Sequence, residues 1–185
     1  MPPAYPKGPR NPEIAPCIYR ILMIRLEKLR PSDYREMLSV WERAGLPFKP
    51  TGRDSRKHIL RQLGLPTALY LKAVEYGPGG RTRGTPAGKA WGRKGRGRMV
   101  AVVLGTHDGR KGYVNRLAVL PGYRRKGLGK RLVRELERRF SKIGIGIITC
   151  QIEDWNTVSL KVFKQLGYVL HHDIHYLSKR KVDGI

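Results

Sequence analysis

The stretch Tyr113 to Phe140, YVNRLAVLPGYRRKGLGKRLVRELERRF, constrains the fold more than any other part of the chain. An apolar run ends at Pro121, a turn crowded with Arg, Lys and Gly follows, and a long amphipathic pattern starts directly after it. A strand, a Gly-rich basic turn and a helix N-terminus in that order make an anion site. The first N–H groups of a helix have no intrahelical partners and sit at the positive end of its dipole. Gly127 and Gly129 remove side chains, so a phosphate can approach those amides. Arg124, Arg125, Lys126 and Lys130 add charge around them. The helix is expected from about Gly127 to Ser141, with Leu128, Leu132, Val133, Leu136 and Phe140 as its apolar stripe. The expected ligand is a small molecule that carries phosphates.

The flanking sequence reads as a mixed α/β protein. Ile18 to Leu29 alternates as a strand from Met23 onward. Ser32 is placed to cap a helix running to about Ala44, with Tyr34, Met37, Leu38 and Trp41 on one face, and Gly45 ends it. Asp54 or Ser55 caps a second, shorter helix to about Leu63. Ala68 to Tyr76 and Met99 to Gly105 read as strands, Asp108-Gly109 as a hairpin turn, and Gly112 to Leu120 as the returning strand. A β-rich run from Ile143 to Ile152, a helix from Asn156 to about Leu166 and two short strands within Tyr168–Lys179 complete the chain. The expected order is β-α-α-β-β-β-α-β-α-β-β, with helices on both faces of a mixed sheet.

At 185 residues and 40% hydrophobic content, the chain supports one domain with a real core. No apolar run is long enough to span a bilayer, and no signal-peptide apolar stretch is expected, so no membrane partner is expected either. The two cysteines, Cys17 and Cys150, match no metal spacing and fit a reduced, cytoplasmic compartment. Charge is the unusual quantity: 38 Lys and Arg against 14 Asp and Glu give a formal +24. Such a surface attracts nucleic acid, phosphorylated ligands or acidic proteins. Three Asn and three Gln among so many basic residues point toward a thermophile. Residues 1–17 form a Pro-rich tail, expected to be disordered, with six prolines in the first 16 positions. Within the domain 18–185, Gly77 to Arg98 holds eight glycines, seven Lys or Arg and no acid. It is expected to be a mobile insertion: either a solvated hairpin, or a finger for nucleic acid or an acidic partner with Trp91 stacking on a base.

Three nucleotide-binding patterns compete for the basic turn. A Walker A loop needs a hydroxyl after its Gly-Lys pair to hold magnesium. Gly122 and Gly127 have the first spacing, but Leu128 follows, and Lys130 is followed by Arg131. A dinucleotide fold needs G-x-G-x-x-G and alternating βα units, and neither is present. Arg124-x-x-Gly127-x-Gly129, in contrast, resembles the R/Q-x-x-G-x-G/A signature of the GNAT acetyltransferase superfamily. LAVLPGYRRKGLGKRLV resembles the strand, loop and helix around that signature. Asn156 to Tyr168, NTVSLKVFKQLGY, resembles the family's N-x-x-A-x-x-L-Y-x-x-x-G-F helix. The resemblance runs from about Met23 to Lys179 apart from the Gly/Arg-rich insertion, and is to archaeal and bacterial members of unassigned substrate.

The resemblance implies a GNAT fold, a mixed and mostly antiparallel sheet with a splayed central strand pair. It implies acetyl-coenzyme A as ligand, with the pyrophosphate on the amides of Arg125 to Lys130. The pantetheine arm would lie along Leu117, Ala118 and Val119, where the strand beginning near Ile145 splays away. Asn156 would hydrogen-bond that arm, with Ser159 and Phe163 on the same helix face. A backbone N–H near Val119 would polarise the thioester carbonyl. The implied reaction is direct attack of a neutral amine on the thioester, helped by proximity, that oxyanion donor and a general base, with no metal. Three positions depart from the family's pattern. Phe163 stands where many members carry a Tyr that protonates the leaving thiolate, which leaves Ser159, Tyr168 or a water for the role. Gln151 stands where ribosomal-protein N-terminal acetyltransferases carry a Glu base, and Asn115 where many members place an acid. The remaining bases are Glu75, His107, Asp108, Glu153, His171 or a water chain.

Several of these residues also have structural readings. His107-Asp108 makes the hairpin turn. His171, His172 and His175 lie on a short strand whose adjacent residues face opposite ways, with no Cys or acid cluster to complete a metal site. Cys150 reads as a buried thiol. Arg53-Asp54 either binds the acceptor or caps the second helix. The expected function is an acetyl-CoA-dependent N-acetyltransferase acting on a primary amine of a small molecule, a peptide N-terminus or a lysine, as a monomer or homodimer. The alternative is a GNAT-fold RNA- or ribosome-associated binding protein that keeps coenzyme A without turnover.

Overall fold

The computed structural model describes residues 24–76 and 97–179. The Pro-rich tail and residues 77–96 of the expected insertion lie outside them. Five strands form one sheet in the order β1-β2-β3-β4-β5. They are β1 (Ile24–Lys28), β2 (Ala68–Glu75), β3 (Arg98–His107), β4 (Lys111–Val119) and β5 (Ile147–Cys150). The first three pairings are antiparallel and the β4–β5 pairing is parallel. Between β1 and β2 run α1 (Tyr34–Arg43) and α2 (Arg56–Leu63). Between β4 and β5 runs α3 (Leu128–Lys142), and α4 (Thr157–Lys164) follows β5.

Helices cover both faces of the sheet. Tyr70 and Leu104 are cross-strand partners, and the Tyr70 hydroxyl donates to Gln62 Oε1 of α2 at 2.7 Å. The next residue of β3, Gly105, points the other way. A Cβ there would sit 2.6 Å from Leu136 Cδ1 of α3. Gly112 of β4 meets the same helix: its Cβ would lie 2.9 Å from the Phe140 ring. The missing side chains let α3 lie close on the sheet. Its expected stripe, Leu128, Leu132, Val133, Leu136 and Phe140, is buried. β3 lies between the two layers, and Met99 to Leu104 are buried throughout, which is why MVAVVL reads as a continuous apolar run and not an alternation.

One irregularity shapes the rest. β4 carries an extra residue, because Leu104 pairs with Arg116 while Gly105 pairs with Val114. The unpaired residue is Asn115, whose Nδ2 donates to Thr106 Oγ1 at 2.8 Å. A bulge shifts by one residue which side chains take each face. Before it, Gly112 faces α3. Beyond it, Leu117 and Val119 face the start of α3, 3.7 and 3.6 Å from a Cβ built at Gly129. Arg116 turns to the other face, its guanidinium 5.0 Å over the Trp41 ring of α1. β5 pairs only with Lys111 to Val114. From the bulge onward, the β5-side edge of β4 is therefore open among the described residues, which is the splay.

Four expectations are corrected. Tyr168–Lys179 forms no strand: no partner strand among the described residues reaches it, and Val169 and Leu177 are 76% and 89% exposed. The run Ile143–Ile152 contributes only the four residues of β5, since Gly144 and Gly146 interrupt it and Ile145 turns into the core instead. Ser32 is not a cap: Pro31 starts a single 3₁₀ turn, Pro31–Asp33, and α1 begins after Asp33. Arg98, counted with the insertion, opens β3.

Candidate functional site

β4 ends in a 3₁₀ turn, Pro121–Tyr123, and the basic turn follows. The Tyr123 hydroxyl donates to Glu75, a β2 carboxylate that is 1% exposed. Arg124 Nε donates to the Val119 carbonyl at 3.0 Å, and its Nη2 to the Ala44 carbonyl at the end of α1 at 2.6 Å. Lys126 Nζ donates to the Gly122 carbonyl at 3.0 Å. Thus two of the four expected cations tie the turn to the protein. Arg125 and Gly127 both take left-handed backbones, at φ 61° and 74°. For Arg125 this costs about 1–2 kcal/mol. The first helical bond runs from Arg131 N–H to the Gly127 carbonyl at 3.0 Å. No acceptor among the described residues takes the amides of Arg125 to Lys130. The alternating handedness makes a concave group of such donors, a shape that suits anions. Gly129 keeps its floor open toward Leu117 and Val119.

The open edge of β4 adjoins this turn. Leu120 N–H donates to the Val100 carbonyl of β3 at 3.0 Å. Strand alternation then points the amides of Leu117 and Val119 away from β3 and into the gap. Ala118 is buried between the two layers. Asn156 is the N-cap of α4 and its Oδ1 accepts the Ser159 N–H at 3.1 Å. Its Nδ2 has no partner among the described residues. Phe163 is buried, its ring 4.9 Å from the Tyr168 ring in an edge-to-face pair. The expected packing of Phe163 is thus present, against Tyr168.

On the opposite face, an ion pair holds the loop after α1. Arg116 Nη1 donates to the Pro47 carbonyl at 2.6 Å and Nη2 to Asp54 Oδ2 at 2.9 Å. Asp54 Oδ2 also accepts the Lys49 N–H at 2.9 Å, and Asp54 is 4% exposed. Of the two expected caps, Ser55 and not Asp54 holds the N-cap position of α2, and the Asp54 carboxylate pairs with Arg116 instead. Arg116 lies 62 residues from Asp54, so no local pattern could have revealed the pair. Glu75 and Tyr123, 48 residues apart, were hidden for the same reason.

The expected bases are dispersed. Asp108 caps its hairpin, accepting the Arg110 and Lys111 N–H groups at 2.8 and 2.7 Å and the Tyr113 hydroxyl at 2.8 Å. Those bonds, the Lys111 N–H foremost, hold its carboxyl down at about 2, so it is a poor base. His107, on the same hairpin, packs edge-on against Phe140 of α3. Glu75 is buried beneath the turn. His171 is exposed near Asp173. Glu153 is exposed on the connection between β5 and α4. Burial raises the Cys150 thiol to about 11. The Tyr168 hydroxyl is buried near Glu137; burial first, then the charge and hydrogen-bonding of Glu137, push its pKa up, so it keeps its proton.

A strand edge open beside a cluster of unpaired helix-start amides can take an anionic ligand with an extended, hydrogen-bonding arm. The family model of the acetyltransferase (GNAT) family matches residues 60–168, and the chain belongs to that family. It is thus an acetyl-CoA-dependent acyltransferase. Solved structures share the fold. An aminoglycoside acetyltransferase from an uncultured soil metagenomic sample, in complex with sisomicin, superposes with a TM-score of 0.65 at 14% identity, covering 87% of this chain and 99% of its own. The PaiA N-acetyltransferase of Thermoplasma acidophilum, in complex with coenzyme A, gives 0.62 at 18% identity, covering 80% and 91%. The ribosomal-protein-S18-alanine N-acetyltransferase of Escherichia coli gives 0.57 at 19% identity, covering 78% and 77%. Among the described residues, no helix is long and apolar enough to cross a membrane.

Proposed function

We propose that the protein acetylates a primary amine, with coenzyme A bound in the gap between β4 and β5. The amides of Arg125 to Lys130 would hold the pyrophosphate, with Arg125 and Lys130 adding charge. Leu117, Ala118 and Val119 would flank the pantetheine arm, and Asn156 Nδ2 would donate to it. The observation that carries this reading is the unsatisfied set of amides from Arg125 to Lys130, lying against the open edge of β4. The bound thioester supplies the activated acetyl group. The Val119 N–H, directed into the gap, is the donor placed to polarise its carbonyl. Phe163 has no proton to give, and a thiolate with a pKa of about 8.5 leaves without one. Glu153, exposed on the connection that leads into Asn156, is the base assigned to take a proton from the amine, directly or through water, since Asp108 is committed to its hairpin and Glu75 is buried.

Two of the proteins named above are an aminoglycoside acetyltransferase and a ribosomal-protein-S18-alanine N-acetyltransferase. This chain's net charge of +24 favours an acceptor that carries acidic groups or is attached to RNA. Free-thiol release from acetyl-CoA, followed with a panel of small amines, peptides and lysine peptides, tests the reading. Turnover with one class, reduced severalfold or more in Asn156→Ala and strongly in Glu153→Gln, is expected. Coenzyme binding without thiol release for any amine would overturn it.

A further inference from the structure

Beneath the basic turn lies a carboxylate that packing alone does not call for. Strand alternation puts Leu69, Leu71, Ala73 and Glu75 of β2 on one face. Leu69 pairs with Gly105, so that face is the one α3 covers. Leu71 and Ala73 are buried and apolar, as a covered face requires, and Glu75 closes the series, buried like them. An apolar residue would fill that position without the cost of taking a carboxylate out of water. Among the described residues, the other buried charged side chains are Asp54 and Lys72. They meet Arg116 and, at 2.8 Å, Asp33. Glu75 instead meets the turn. The bond from Leu120 N–H to the Val100 carbonyl brings the chain back across the end of β3, and the Tyr123 hydroxyl then donates to Glu75 Oε2. The end of β2 is thereby joined to the residue directly before Arg124.

We propose that Glu75 is a positioning residue for the coenzyme: through Tyr123 it fixes the start of the turn whose amides, Arg125 to Lys130, would hold the pyrophosphate. The inference rests on the coenzyme site proposed above. The need for a fixed start comes from the backbone of the turn. Arg125 and Gly127 take left-handed conformations, and no acceptor among the described residues takes the amides between Arg125 and Lys130. The shape of the turn is therefore set from its two ends. Leu128 and Leu132, buried on the sheet side of α3, hold the far end. Arg124 and Tyr123 hold the near end. The Arg124 bonds run from an exposed side chain to backbone carbonyls, where water competes for both partners. The Tyr123 bond is buried and its acceptor is a carboxylate, the stronger kind of hydrogen bond. Donors held in place before the ligand arrives need no ordering when it binds.

Amide NMR titration of the full chain with acetyl-CoA and, separately, with S-acetylpantetheine tests this. The second compound carries the thioester and the arm but no pyrophosphate. Wild type should bind acetyl-CoA far more tightly. Tyr123→Phe keeps the buried ring and removes only the hydroxyl. It should weaken acetyl-CoA about tenfold, the scale of one buried hydrogen bond to a carboxylate, and leave S-acetylpantetheine where it was. Glu75→Leu should do the same, while Glu75→Gln, which keeps an acceptor oxygen, should retain most of the wild-type affinity. Tyr123→Phe and Glu75→Leu combined should lose no more than either alone. A wild type that prefers acetyl-CoA beside a Tyr123→Phe variant that keeps the full preference overturns the proposal and leaves the coenzyme site standing. Equal weakening of both compounds, the mark of a fold-wide defect, overturns it as well. A wild type that binds both compounds alike removes the coenzyme site, and this inference with it.

Discussion

Asp54→Ala should be among the most damaging single substitutions outside the central core. It leaves the Arg116 guanidinium, with a side chain only 13% exposed, without its counter-charge. It also strips the Lys49 N–H of its acceptor. The Pro47 carbonyl and the Trp41 face remain, but neither neutralises a charge. Breaking a buried pair from one side costs about 3–5 kcal/mol. In a domain of this size each kcal/mol lowers Tm by about 2–4 °C, so a fall of about 6–20 °C is expected. Arg116→Met in the same background removes the stranded charge. The double variant should recover most of the loss and remain about 1–2 kcal/mol below wild type for the two orphaned backbone groups. Urea unfolding of the four proteins gives the coupling directly. Because Arg116 pins the loop from Pro47 to Asp54, the acceptor KM should rise in Asp54→Ala while coenzyme affinity holds. A double variant as unstable as Asp54→Ala, or a single loss below about 1 kcal/mol, would refute the reasoning.

Gly112→Ala places a methyl 2.9 Å from the Phe140 ring and should cost about 1–3 kcal/mol in chemical denaturation, whereas Gly122→Ala, where a Cβ meets nothing within 4 Å, should cost little. Asp108 has a folded pKa below its ordinary 3.8, at about 2, so its contribution to stability is complete above pH 3.8 and is lost as pH falls toward 2. Asp108→Asn should flatten acid unfolding in that window, and carboxyl NMR should find the wild-type midpoint near the lower value. Cys150, raised from 9.0 to about 11, should alkylate about a hundredfold more slowly in folded than in unfolded protein at pH 8, read by mass spectrometry of the Cys150 peptide.

Most of the fold was legible because it is written in local periods. The α3 stripe repeats every three to four residues, β3 is a solid apolar run, and Asp108-Gly109 marks its hairpin. The turn was legible because its glycines, basic residues and neighbouring proline are contiguous. What the sequence hid is non-local. The bulge at Asn115 depends on the register between β3 and β4, and it alone sends Arg116 to the α1 face. The engagement of Arg124 with Ala44 requires knowing that α1 ends beside the turn. The closing strands misled because a period-2 pattern states what a segment can pair as, and not that a partner is present.

The central claim is that coenzyme A sits on the α3 start, and calorimetry of Gly129→Glu tests it most directly. Gly129 has an ordinary helical backbone, and its Cβ would make only normal contacts with Val119 and Leu117, so the fold should tolerate a side chain there. A Glu would place bulk and negative charge over the free amides. The account predicts that acetyl-CoA binds the wild type and that Gly129→Glu loses that binding with an unchanged Tm. Equal affinity in the two proteins would contradict it.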